Sequence, residues 1–182
     1  MTREQGRLNP PVGAQDHAQG SAGAAIALVE YGDYECPHCG RAYPIVKRLQ
    51  ARLGAGLLFV FRNFPLAEVH PHATAAAELA EAAAMGGRFW PMHDMLFEHQ
   101  DALDDGHLLT YVRALDLDPG DLRKALESGR PKERVRADFT SGVRSGVNGT
   151  PTFFINGRRF DGNWTDEDSF AAALRAAAPP SS

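Results

Sequence analysis

Two cysteines occur in 182 residues, three positions apart, in the run Cys36-Pro37-His38-Cys39. A disulfide closing so short a ring removes little freedom from the unfolded chain, so the pair points to chemistry rather than to a structural staple. The nucleophile in thiol chemistry is the thiolate, and an unperturbed cysteine with a pKa of ~8.5 is only a few per cent ionised at neutral pH. Something must hold the charge. Pro37 suits the first position of a helix, where no N–H is needed. That places Cys36 where unpaired backbone N–H groups and the positive end of the helix dipole favour an anion. His38 adds a donor beside the sulfur, and a cation when protonated. Together these features lower such a cysteine to a pKa of roughly 3.5 to 7.5. Cys36, at the exposed helix start, is the expected nucleophile. Cys39, one turn further in and more buried, is expected to resolve the mixed disulfide.

The same spacing is half of a zinc site. A closed zinc site takes four ligands, and with no second cysteine pair either His38 or His70-Pro71-His72 would have to complete it. No metal and no cofactor is therefore expected.

The elements around the motif follow from hydrophobic periodicity. Ala25 to Tyr31 and Leu57 to Phe64 are short apolar runs that suit strands buried on both faces. Between them, Ala42, Ile45, Val46, Leu49 and Leu53 mark one face of a helix from Cys36 to Leu53, giving a right-handed strand, helix, strand unit with parallel strands. Pro44 should kink that helix. From His72 to about Ser145 the strand signals vanish, and helices are expected over 72–85, 88–100, 106–115, 119–127 and 131–145. Strand character returns at Thr152 to Ile155. Asn156-Gly157 then signals a two-residue hairpin into Arg158 to Phe160. Thr165 opens a last helix that runs to about Ala177, before Pro179-Pro180.

Composition narrows the partners. The chain is 43% hydrophobic and carries 19 basic against 23 acidic residues, a net charge of -4. This balance gives no reason to expect nucleic acid or an anionic membrane as partner. No run approaches the ~20 apolar residues of a membrane span. Residues 1–21, rich in Gly, Pro, Gln and charge, read as a flexible arm that cannot form the apolar centre of a secretory signal, so a chain starting at Met1 is expected in the cytoplasm. Residues 22–178 form one domain with a helical insert over about 68–145, and 179–182 a tail.

Glu30 through Cys39 (EYGDYECPHC), followed by the helical insert and Gly149-Thr150-Pro151-Thr152-Phe153, resembles the DsbA-like branch of the thioredoxin superfamily. The resemblance covers roughly residues 22–178. It implies an α/β, thioredoxin-like fold with an inserted helical subdomain, and a protein-disulfide oxidoreductase that acts on protein thiols and disulfides alongside an unidentified redox partner. It also implies that Pro151 is a cis-proline facing the two sulfurs, and that the Thr150 backbone offers strand-like hydrogen bonds to a bound polypeptide. Glu30, six residues before the first cysteine, matches a buried acid that relays the proton of the resolving thiol, a role that burial suits by raising its pKa.

Other residues read as structural. His70 and His72 are taken as cap or surface, the cluster from Phe89 to Phe97 as core of the insert, and the basic run Arg130 to Arg136 as a solvated helix face. The rival function is a peptide-binding redox sensor that uses the same groove without turnover.

Overall fold

Residues 6–179 are described by a computed structural model. Two apolar runs form its central parallel pair, β2 (Ile26–Gly32) beside β3 (Leu57–Asn63), joined by α1 (Pro37–Leu53) as the sequence leads one to expect. Alternate side chains of the two strands bury on opposite faces. Leu28, Phe59 and Phe61 pack with α1 and the insert, while Val29, Tyr31, Val60 and Phe64 face the other way. This two-sided burial explains why the strands read as nearly continuous hydrophobic runs.

The polypeptide from Ala73 to Arg144 is wholly helical between its turns: α2 (Ala73–Met85), α3 (Phe89–Glu98), α4 (Asp105–Ala114), α5 (Pro119–Glu127) and α6 (Arg130–Arg144). Two of these starts are fixed by side-chain caps. The Asp104 carboxylate accepts from the Gly106 and His107 N–H groups, and Asp118 accepts from Asp121. β4 (Thr152–Ile155) then pairs antiparallel with β2 and turns at Asn156-Gly157, both with positive φ, into β5 (Arg158–Phe160). The final α7 (Glu167–Ala177) is capped by Asp166 and returns to the α1 face, where Phe170 and Leu174 are buried.

The expected loose arm is corrected over the described part of residues 1–21; Met1 to Gln5 lie outside the described residues. His17–Gly20 forms β1, antiparallel to β3, so the sheet order is β1-β3-β2-β4-β5. Leu8 is buried against Val29 and Phe154. The Asp16 carboxylate accepts two hydrogen bonds from the buried guanidinium of Arg62, which also donates to the Tyr31 hydroxyl and to the carbonyls of Pro10 and Pro11. A charged pair, not an apolar pattern, fastens this segment, which is why hydrophobic periodicity passes over it. Pro44 deprives the Gly40 carbonyl of its usual donor, yet α1 continues through it as one element. No helix among the described residues is long and apolar enough to cross a membrane.

Candidate active site

The loop Asp33-Tyr34-Glu35 carries the chain from the end of β2 to α1, and Cys36 is the N-cap of that helix, with extended backbone and Pro37 at the first helical position. Its N–H donates to the Asp33 carbonyl, and its carbonyl accepts the Gly40 N–H, the first bond of the helix. Cys36 is less open than its place at a helix start suggests: 3% of it is exposed, against 0% for Cys39. Pro37 and His38 are exposed above it, while Thr150 and Pro151 are half-buried.

Both cysteines are free thiols that lie close together. Hydrogen bonding from the Cys39 thiol to Cys36 is the largest effect on Cys36. Burial opposes it, and Thr150 and the backbone N–H groups of Cys39 and His38 add to it, taking the Cys36 pKa from 9.0 to about 5. Cys39 moves the other way. Burial, the bond to Cys36, and the charges of Glu30 and Cys36 hold its thiol well above the ordinary value, against the Asp33 N–H, which lies 3.4 Å from its sulfur. One thiol is thus held as a thiolate at neutral pH and the other as a proton carrier.

Opposite the sulfurs, Thr150 precedes Pro151 across a cis peptide bond, and its carbonyl oxygen lies 3.5 Å from Cys36 Sγ. The Thr150 hydroxyl is buried and makes no hydrogen bond among the described residues. Glu30, 2% exposed, sits on the α1 face of β2 with Oε1 lacking a hydrogen-bond partner there. Burial, with the charge of Cys36 behind it, raises its carboxyl from 4.5 to about 8.

The structure therefore brings together Cys36, Cys39, Pro37, Glu30, Thr150 and Pro151. The ring of His38 is turned elsewhere: its Nδ1 accepts a hydrogen bond from Arg41, and only its backbone N–H serves the thiolate. Three further residues reach the site. Gln100, just beyond α3, donates from Nε2 to the carbonyls of Tyr34 and Cys36. Asp33, fully buried, accepts from the N–H groups of Glu35 and Leu66 and from Nδ1 of His70. His70 is thus no mere surface residue, while His72 is the N-cap residue of α2. A tertiary partner sets each of these roles, and the sequence offered only the nearness of Asp33 to the cysteines as a signal. With His38 and His70 so engaged, no group of three or more His, Cys, Asp or Glu is arranged to hold a metal among the described residues.

The chain matches the family model described as Thioredoxin over residues 13–175. Similar curated sequences include one named Na(+)/H(+) antiporter NhaA 3 from Salinispora tropica, 45% identical over 162 residues. Another is named Na(+)/H(+) antiporter NhaA 1, from Mycolicibacterium vanbaalenii, 40% identical over 171 residues. These matches take in 89% and 93% of this chain but 25% and 28% of the relatives. The chain thus spans about a quarter of the length of the curated relatives it matches. Among solved structures, oxidised BdbD from Bacillus subtilis aligns with a TM-score of 0.81 at 22% identity, over 95% of this chain and 98% of that one. The thiol-disulfide exchange protein alpha-DsbA2 from Wolbachia pipientis aligns with a TM-score of 0.80 at 20% identity, over 91% and 88%. The fold is the thioredoxin-like one of DsbA-type proteins, helical insert included.

Proposed function

The chain belongs to the thioredoxin family, and on that premise we propose that it is a thiol-disulfide oxidoreductase that exchanges disulfides with protein substrates. The observation that carries the reading is the opposed setting of the two thiols at the start of α1, Cys36 lowered to about 5 and Cys39 raised.

In the reducing direction the Cys36 thiolate attacks one sulfur of a substrate disulfide. The Cys36–substrate bond forms as the substrate bond breaks, and the departing substrate sulfur takes up a proton. Cys39 then gives up its proton and attacks Cys36, leaving an enzyme disulfide and a second substrate thiol. The oxidising direction reverses these steps. Cys39 departs as a thiolate that must regain a proton, and Glu30, protonated below about 8, is placed on the same face of the sheet to supply it. Thr150 and Pro151 form the wall against which an extended substrate segment would lie.

A thiolate this well supported makes the disulfide easy to reduce, so we place its couple on the oxidising side of ~-270 mV. In an oxidising compartment the pair would pass its disulfide on. In a reducing compartment such as the cytoplasm, glutathione would keep it a dithiol. The working unit we propose is residues 22–178, with the insert at about 68–145, extended by the strand-forming segment before it. The transport activity in the names of the longer relatives is not part of this proposal, which concerns only the segment they share with this chain.

Catalysed reduction of insulin by dithiothreitol tests the reading. The native chain should accelerate precipitation and the Cys36→Ser/Cys39→Ser double variant should not. Equal rates would leave a peptide-binding redox sensor in place of an enzyme.

A further inference from the structure

The loop between β3 and α2 brings His70 onto a carboxylate that the thiol site is built around. Asp33 Oδ2 accepts from His70 Nδ1 at 2.8 Å and from the Leu66 N–H at 2.8 Å, and Oδ1 accepts from the Glu35 N–H at 2.7 Å. The same residue touches both cysteines through its backbone, its carbonyl accepting from the Cys36 N–H and its N–H lying against Cys39 Sγ. The Asp33 side chain is 0% exposed and that of His70 18%, so the carboxylate is sealed while the imidazole can exchange a proton with solvent. An ionised carboxylate only accepts, so Nδ1 carries a hydrogen and Nε2 is the atom that binds or releases the proton.

We infer that His70, fixed on buried Asp33, is a positioning residue whose charge supports the Cys36 thiolate and makes the stability of the reduced form depend on the proton at His70. The inference rests on the thiol-disulfide reading of the site. The charges acting on the ring are those of Asp33 and Glu35 from the loop before α1, and of Cys36 at its start. Burial of the ring lowers its proton affinity. The bond and charge of Asp33, with the charges of Cys36 and Glu35, together outweigh this, and the pKa stands above the ordinary histidine value.

The coupling is reciprocal. Reduction of the Cys36–Cys39 disulfide by a dithiol breaks the S–S bond, delivers two electrons, and yields a Cys36 thiolate and a Cys39 thiol; the reductant closes to its own disulfide and releases one proton net. The new thiolate draws His70 toward its charged form, so within the range where His70 titrates, reduction takes up part of a further proton. Each proton taken up changes the equilibrium constant tenfold per pH unit, or about 30 mV for this two-electron couple. Glu30 also senses the thiolate. The contribution of His70 is therefore read as a difference between chains that share Glu30.

The test measures the equilibrium with a glutathione redox buffer across pH, together with the pH onset of Cys36 alkylation, in the native chain and in His70→Asn. Asparagine keeps a neutral donor for Asp33 and loses the charge. The expected result for His70→Asn is a several-fold shift of the equilibrium toward the disulfide, a thiolate onset moved to higher pH, and a protein reduction potential, obtained from that equilibrium, that falls less steeply with rising pH than in the native chain. A folded variant with native onset and slope overturns the inference. Should the variant fail to fold, NMR titration of the His70 ring in the reduced and oxidised native chain decides instead: its pKa should fall on oxidation, and an unchanged value overturns the proposal. A native chain that forms no reversible disulfide refutes the thiol-disulfide reading itself, which is a different result from either.

Discussion

The guanidinium of Arg41 donates to Nδ1 of His38 at 2.6 Å. Arginine has no acceptor, so Nδ1 of His38 is the acceptor of this bond. His38 therefore acts on the thiolate through its backbone N–H. His38→Ala keeps that N–H and should move the alkylation onset of Cys36 by less than about half a pH unit, because only the ring is lost. An upward move of two units or more would show that the ring supports the sulfur directly.

Glu30 gives the fold its own pH dependence. Its carboxyl, raised by burial and by the Cys36 charge from 4.5 to about 8, keeps its proton in the folded chain where the unfolded chain has lost it. The stability this contributes is complete below about 4.5, declines as pH rises, and is gone above about 8, a swing of about 5 kcal/mol. Glu30→Gln stays neutral throughout and should lack that decline. Urea midpoints of the two reduced proteins should be similar near pH 4.5, with the variant ahead near pH 9. A constant offset at both would contradict the assignment.

Gly40 and Gln100 make a contact whose energetics change sign with context. A Cβ on Gly40 would stand 2.1 Å from Gln100 Oε1, and its three nearest atoms would all belong to the Gln100 side-chain amide. Gly40→Ala should therefore pull Gln100 off the carbonyls of Tyr34 and Cys36, costing about 1–2 kcal/mol. In a Gln100→Ala background the same change should stabilise α1 by about 0.5–1 kcal/mol, the ordinary advantage of alanine over glycine in a helix. A double-mutant cycle showing additivity would dismiss the contact.

What the sequence discloses and what it hides divide along one line. The helices of the insert announce themselves because period, cap and stop lie together, as with Asp104 before α4 and Asp118 before α5. The thiol pair, its proline and the Thr150-Pro151 turn are likewise legible as local strings. Gln100 lies 64 residues from the carbonyl of Cys36 to which it donates, and His70 37 residues from Asp33, so nothing in their neighbours marks them. β1 escapes for a related reason. His17-Ala18-Gln19-Gly20 has no apolar alternation, and the edge of β3 and the Asp16–Arg62 pair give it a place.

That pair is itself open to test. Burial works against the Asp16 carboxylate, but hydrogen bonds from Arg62 and Gly13 and the charges of Arg62 and Arg134 hold its pKa below 3.8. The stability it contributes is thus present above that value and lost as pH falls through the lower folded one. Asp16→Ala leaves Arg62, 3% exposed, without its counter-charge and should cost about 3–5 kcal/mol near neutral pH. A loss under about 0.5 kcal/mol, the usual range for surface changes, would mean that the N-terminal segment is not fastened to the sheet.

Trapping the intermediate tests the central claim that Cys36 attacks and Cys39 resolves. With Cys39→Ser, incubation with a disulfide-bonded protein substrate should leave a mixed disulfide at Cys36, seen as a larger band on non-reducing gels that collapses on adding reductant. Cys36→Ser should give no such band. Adducts that persist without Cys36, or that form equally in both variants, would contradict the assignment of the nucleophile.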